Sequence, residues 1–417
     1  MKCLKGVLLS AVLLIVLMTT SVGTGTAEAF VHCAYKDWKL ISGPTPSGAQ
    51  GTALNQVAVI PENDIWTVGD FYRGSISKTL IEHWDGGKWS IVPSPNIGSD
   101  SNYLTGVAAI STNNVWTVGT YMGSKKTLIE HWDGGKWSIV PSPNIGSDAN
   151  YLASIAAVST NNIWAVGLHE NIDDSDQTLI EHWDGSKWSI IPSPNHGSDF
   201  NYLTGIAAVS TNNIWAVGGY ASAPRTGQTL IEHWDGSKWS IVPSPTIGDS
   251  TAYSNLAEVA AVSTNNIWAV GLHSNTGGAD RTLIEHWDGS KWSIVPSPNT
   301  ELHDNDLTGI VAISTGDIWT VGVRYNDNSA KNVRYTLIEH WNGRAWSIVP
   351  SLSPGSAVNY LTGVAADSVG RIWTVGYYGN NGSATRPLTE VHSCDQEGTT
   401  NNVSRALPRG GIGLIQR

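Results

Sequence analysis

Hydrophobic positions along this chain recur in short runs of a strand's length, not at helical spacing. One unit reads "YLTGVAAISTNNVWTVGTYMGSKKTLIEHWDGGKWSIVPSPN" from Tyr103 to Asn144. It splits into four runs: a ("LTGVAAIS"), b ("VWTVG"), c ("TLIEHW") and d ("KWSIVPSP"). Each is rich in Val, Ile, Thr and Trp, and "STNN" and "DGGK" or "DGSK" punctuate them, as strands and turns require. Run a is rich in small residues, which suits a crowded innermost strand. The c–d link contains Asp-Gly, because a tight hairpin needs a residue that tolerates positive φ.

The unit is copied along the chain. The Trp of run b recurs at Trp66, Trp116, Trp164, Trp215, Trp268, Trp319 and Trp373, spaced 48–54 residues apart. A period near fifty indicates propeller blades or a solenoid. Runs a, b and c occur seven times, and d follows its own c only six times. The missing piece stands at the start, as "DWKLISGPTP" around Trp38. The expected fold is therefore all-β: a seven-bladed β-propeller of four-stranded blades, the last blade closed by the N-terminal d strand.

Composition agrees with a repeated Trp-bearing unit: 20 Trp against 3 Phe in 417 residues. Residues 1–29 read as a signal peptide. Lys2 and Lys5 precede an apolar run from Val7 to Met18, and Ala27-Glu28-Ala29 is an A-x-A cleavage site. The expected product is secreted, cleaved after Ala29, with the propeller over 30–394 and a disordered tail over 395–417. Of the 3 Cys, Cys3 leaves with the signal, and Cys33 and Cys394 fall where the other repeats have their c–d turn. A Cys33–Cys394 disulfide is expected there. Net charge is −11, which argues against nucleic acid and anionic membranes as partners. The chain is expected to be a monomer.

The units resemble kelch repeats. "IWAVGGY" at 214–220 is similar to the kelch strand that ends in a Gly pair, and "TLIEHWDGSKWSIVPSP" at 229–245 to its aromatic-Asp, turn, Trp, Pro ending. The resemblance covers roughly 34–394 and implies a seven-bladed propeller. Gly218-Gly219 alone keeps the Gly pair, and the turn is one residue shorter than usual. Trp84-Asp85 is similar to the Trp-Asp repeat, and "DGGKW" at 85–89 to the sialidase-type Asp box. A propeller hosts many functions, so none follows from the ring alone.

The most tempting catalytic residue is the Glu of "LIEHW", at Glu82, Glu130, Glu181, Glu232, Glu285, Glu339 and Glu390. It is followed by His in six units and by Val391 in the seventh. Adjacent strand residues point to opposite faces, and catalysis needs one asymmetric site, so a structural role is expected. The Trp residues, fixed in every unit, are expected in the core. Asp173, Asp174 and Asp176 lack the further ligands of a calcium loop. No cofactor and no metal is expected.

The copies differ most in the b–c loops, which share one end of a propeller with the d–a loops. Two residues after the Gly of run b stand Phe71, Tyr121, His169, Tyr220, His273, Arg324 and Tyr378, all aromatic, His or Arg. The d–a side adds Tyr103, Tyr151, Tyr202 and Tyr360. These residue types stack on ligands and hydrogen-bond to them. The leading expectation is a secreted, non-catalytic scaffold that binds a glycan or an extracellular protein at several similar sites on this face. The alternatives are a glycoside hydrolase or lyase with one site at the axis mouth, near Arg324, Asp327, Arg334 and Arg386, and a structural surface module.

Overall fold

The computed structural model describes residues 38–393, apart from segments 61–62, 147, 173–174, 198–199, 224–225, 246, 248–252, 275–277, 301–303 and 327–332. The expected signal peptide, Cys33, Cys394, the tail, Asp173, Asp174 and Asp327 lie outside the described residues, which contain no cysteine. Among the described residues every regular element is a strand, 28 in all, and no helix is long and apolar enough to cross a membrane.

Each repeat folds as its pattern dictates. In the second, strand a (Asn102–Ser111), b (Asn114–Tyr121), c (Lys126–Trp132) and d (Trp137–Ile139) pair antiparallel in that order. The Asp-Gly turn between c and d is stabilised from within. Asp133 Oδ1 accepts from Gly135 N at 2.9 Å and from Lys136 N at 2.9 Å, and Gly134 takes φ 93°. Five more repeats build the same turn around Gly86, Gly185, Gly236, Gly289 and Gly343.

The expected set of seven separate four-stranded blades, the last of them closed, is corrected by the hydrogen bonding. Among the described residues there are six sheets, five with four strands and one with eight. Repeats four and five share the eight-stranded sheet through a parallel pairing of Gly227 with Tyr253. The absent side chain permits it, since a Cβ on Gly227 would lie 2.7 Å from the Tyr253 ring. Among the described residues no sheet closes on itself, and the strand Trp38–Leu40 pairs with Arg386–His392 at the edge of its sheet.

The arrangement of the sheets is propeller-like. Each a strand lies against the a strand of the next repeat, and Val358–Ala366 of the seventh lies against Gly51–Ile60 of the first. The core consists of layers between neighbouring repeats. Trp116, Val118 and Ile129 of the second repeat pack on Leu152, Ile155, Ile163 and Trp188 of the third. The Trp residues interlock across the same seams, with Trp116 centred 4.9 Å from Trp183 and 5.7 Å from Trp188. This bears out a structural place for the repeated Trp residues.

Hydrogen bonds link the inner strands. Thr105, Thr204, Thr308 and Thr362 donate through Oγ1 to Leu152, Leu256, Leu361 and Leu54 O of the following repeat, at 2.8, 2.7, 2.8 and 2.7 Å. Asn55 Nδ2 does the same to Leu104 O at 2.7 Å. The last of the four Thr bonds joins the seventh repeat to the first.

Candidate functional site

The cross-strand register fixes where the candidate residues stand. Phe71, Tyr121, His169, Tyr220, His273, Arg324 and Tyr378 pair with Thr52, Asn102, Asn150, Asn201, Ser254, Asn305 and Asn359. All seven therefore sit at one end of the repeats, where strand b runs out and strand a begins. Strand alternation turns them into the seams, toward the preceding repeat. Phe71 packs on the layer between repeats seven and one, Tyr220 on that between three and four, and Tyr378 on that between six and seven.

Their surroundings differ. His169 is buried, its Nδ1 lacks a hydrogen-bond partner, and burial pushes its pKa down. Tyr121 is half-buried, with its hydroxyl bonded to Ser124 Oγ. The Tyr220 ring stacks on His196 at 4.0 Å, and the Arg324 guanidinium lies 5.2 Å over Tyr335. His273 is half-buried, held below its ordinary pKa by burial and then by Arg281.

The partner asparagines are a structural element that the sequence reading passed over. Asn102 is wholly buried, and its Oδ1 accepts from Ile97 N at 2.9 Å while Nδ2 donates to Ile97 O and Asp100 O. Asn150 and Asn359 hold their d–a loops in the same way. The signal was present, as Asn before Tyr or Asp at five matching positions.

Tyr103, Tyr151, Tyr202 and Tyr360 stand one residue before the recurrent Leu of strand a and so lie on the opposite face of the strand from it. All four are half-buried. Tyr202 bonds Tyr253 through the two hydroxyls at 3.3 Å. Tyr360 lies parallel to Tyr377, centroids 5.4 Å apart and planes 1° apart. Burial raises the pKa of both Tyr202 and Tyr360, so they remain neutral hydrogen-bonding groups.

Two departures from repetition were missed. At the position of those tyrosines the sixth repeat has Asp306, on the same sheet face as Tyr325 and Arg334. Burial, then the charges of Asp280 and Asp304, push Asp306 up to about 7. Two residues after the Leu of strand a, the repeats carry Gln56, Gly106, Ser154, Gly205, Glu258, Gly309 and Gly363. Gln56, Ser154 and Glu258 line a cavity of about 170 Å³ walled by Val57, Val107 and their counterparts from every repeat.

The Glu and His of "LIEHW" occupy opposite faces of strand c. Glu82, Glu130, Glu181, Glu232, Glu339 and Glu390 are fully buried and pushed up to about 8 by desolvation. Glu285 reaches only about 7, because Ser244 of the preceding repeat donates to its carboxylate at 2.9 Å. His131 stacks on Trp116 at 4.2 Å, and its Nε2 bonds Asn114 Oδ1 at 2.9 Å. Trp116 Nε1 donates to the same oxygen at 2.8 Å. Such trios recur in repeats three to five. In the seventh repeat, where Val391 replaces His, Arg371 covers Trp373 at 5.4 Å instead.

Of the alternative enzyme residues, Arg324, Arg334 and Arg386 are described, on the sixth and seventh repeats. Arg324 and Arg334 project from opposite faces of one sheet, since Arg324 pairs with Tyr335 and Tyr325 with Arg334. Arg386 is exposed on the seventh repeat. Among the described residues no group of three or more His, Cys, Asp or Glu is placed to hold a metal ion.

Fold and site together define an all-β, propeller-like protein with its side-chain variety concentrated at one end. No family model matches the chain, kelch included, and no curated protein matches it. Solved structures are similar in fold. YCF48 from Cyanidioschyzon merolae has a TM-score of 0.50 at 15% identity, over 86% of this chain and 99% of that one. An ulvan lyase of a polysaccharide lyase family, solved with a bound GlcA–Rha saccharide, has a TM-score of 0.50 at 8% identity, over 84% of this chain and 95% of that one. The Penicillium chrysogenum alpha-L-arabinanase with arabinobiose gives 0.46 at 10% identity, over 70% and 94%. These likenesses concern the fold alone.

Proposed function

We propose that this protein is a secreted, non-catalytic binding scaffold that recognises a glycan or an extracellular protein through its b–c and d–a loop end. One observation carries the reading. The register gathers an aromatic, His or Arg side chain from each of the seven repeats at a single end, together with the loops that differ most between copies. Buried asparagines beneath them accept from the loop backbone at Ile97, Ile145 and Gly355, contacts that lower the ordering cost of binding. Near-copied repeats favour multivalency, in which weak sites sum to useful avidity.

The test is a glycan array probed with the native protein and a Tyr121→Ala/Tyr220→Ala double variant. Binding by the native protein and a clear loss in the variant are expected. Equal binding by both would refute the role of these side chains. Cleavage of a bound polysaccharide, seen as new chain ends, would replace the scaffold reading with a hydrolase or lyase.

A further inference from the structure

We propose that the seam between the sixth and seventh repeats holds one binding site for a neutral sugar unit, formed by Asp306, Tyr325 and Arg334 beside Tyr360 and Tyr377. This rests on the reading that the loop end binds glycans, and it names where and by what chemistry.

Three side chains share one face of the sixth repeat. Asp306 pairs with Val323, Tyr325 follows two residues on, and Arg334 pairs with Tyr325. Alternation points all three the same way, toward the seventh repeat. The exposed Arg334 guanidinium stands 5.3 Å over the Tyr325 ring. One carboxylate oxygen of Asp306, Oδ1, is buried without a hydrogen-bond partner. The neighbouring Asp304 is already engaged, accepting from Asp280 N at 2.8 Å. Tyr360 and Tyr377 add a stacked pair, and the charges of Asp306 and Arg334 act on the Tyr360 hydroxyl.

No other repeat carries this set. Where the sixth has Tyr325 the others have Tyr72, Met122, Glu170, Ala221, Ser274 and Gly379. Where it has Arg334 they have Ser77, Lys125, Asp176, Gly227, Asp280 and Thr385. In a chain whose strands are near-copies, a combination of carboxylate, guanidinium and aromatic found on one face of a single repeat is the mark of a specialised site.

Charge selects the ligand class. An anion would meet Asp280, Asp304 and Asp306, and a cation would meet Arg334. A neutral sugar uses both kinds of group: Asp306 accepts from one hydroxyl, Arg334 donates to its neighbour, and the C–H face of the ring packs on Tyr325.

The test uses the native secreted protein and immobilised oligosaccharides in three sets: neutral, uronate-bearing and amino-sugar. The neutral set should bind. Asp306→Ala, Tyr325→Ala and Arg334→Ala should each weaken binding by about tenfold or more, the loss of roughly one charge-assisted hydrogen bond or one stacking contact. Arg334 is exposed, so its variant folds even if Asp306→Ala does not, and Asp306→Asn serves as the conservative partner. Undiminished binding by folded Arg334→Ala and Tyr325→Ala, with loss in Tyr121→Ala/Tyr220→Ala, would overturn this site and leave the broader reading standing. Preference for the uronate or amino-sugar set would overturn the ligand class. No glycan binding by the native protein would overturn both readings.

Discussion

Gln56 and Glu258, 202 residues apart in the chain, meet across the axis of the molecule, where Gln56 Nε2 donates to Glu258 Oε2 at 3.4 Å. Each is braced at its root. Gln56 Oε1 accepts from Val57 N at 2.9 Å, and Glu258 Oε1 from Val259 N at 3.1 Å. The pair spans a space that four glycines leave open, so it acts as a strut between the first and fifth repeats. Burial pushes Glu258 up to about 8, so the carboxyl is protonated at neutral pH. Glu258→Gln keeps one acceptor oxygen, which can serve Val259 N or Gln56 Nε2 but not both, so it should melt somewhat below the native protein near pH 6. Glu258→Ala should widen the cavity and leave the Gln56 amide without its acceptor, at a cost of about 1–3 kcal/mol. Thermal melts of the three proteins decide it, and an alanine variant as stable as the native protein would disprove the strut.

Stability should fall as pH rises from about 4.5 to about 8. The buried Glu of each strand c holds its proton in the fold up to about 8, or about 7 for Glu285, whereas the unfolded chain releases it near 4.5. Within that window the native state binds more protons than the unfolded state, so every step up in pH favours unfolding. Below about 4.5 and above about 8 these groups add no slope. Melting temperatures between pH 4 and 9 should show the decline, and Glu130→Gln should make it shallower. A flat or rising curve from pH 5 to 8 would mean that the carboxyls are ionised in place.

Much of this fold can be read from the chain, for identifiable reasons. Asp133-Gly134 marks a turn because the side chain accepts two backbone N–H groups and the glycine takes positive φ. Trp116 and its counterparts mark seams because nothing else in a small unit covers so much area. The site was less legible. Tyr121 and Tyr220 sit at the expected end, but alternation, not composition, decides that they lean into seams. Glu258 and Asp306 were hidden because each is a single change within a run that is otherwise a copy. The joining of repeats four and five could not be foreseen, since it depends on one close approach at Gly227.

The inner hydrogen-bond belt has two gaps that can be filled. Thr105 and Thr204 bridge to the next repeat, but the third and fifth repeats have Ala153 and Ala257 at the matching position. Ala153→Thr should supply a donor to Leu203 O and raise stability by about 0.5–1.5 kcal/mol, the usual net value of one such bond. Thr204→Ala should lose a similar amount. Chemical denaturation of both variants checks the pair. Loss of stability in Ala153→Thr would show that the seam between repeats three and four lacks room for the extra methyl group.

The side chain of Asn162 satisfies two donors at once, Trp164 Nε1 at 2.6 Å and His182 Nε2 at 2.9 Å. Both donors belong to rings with centroids 4.2 Å apart, tilted by 34°, and His182 is held below its ordinary pKa by burial. Asn162→Ala therefore leaves two half-buried donors without a partner and should cost about 2 kcal/mol or more. Asn162→Asp is a different case, because the first and sixth repeats already use Asp64 and Asp317 beside His83 and His340, at 2.7 and 2.9 Å. That substitution should fold well and raise the pKa of His182, since a carboxylate favours the imidazolium form. The extra stability should appear at low pH and vanish as pH rises past the new His182 pKa. An NMR titration of the histidine resonances, read against melts at pH 5 and pH 8, tests both parts. An unmoved His182 would show that the aspartate carries the proton, and the hydrogen bond without charge transfer would then be the whole interaction.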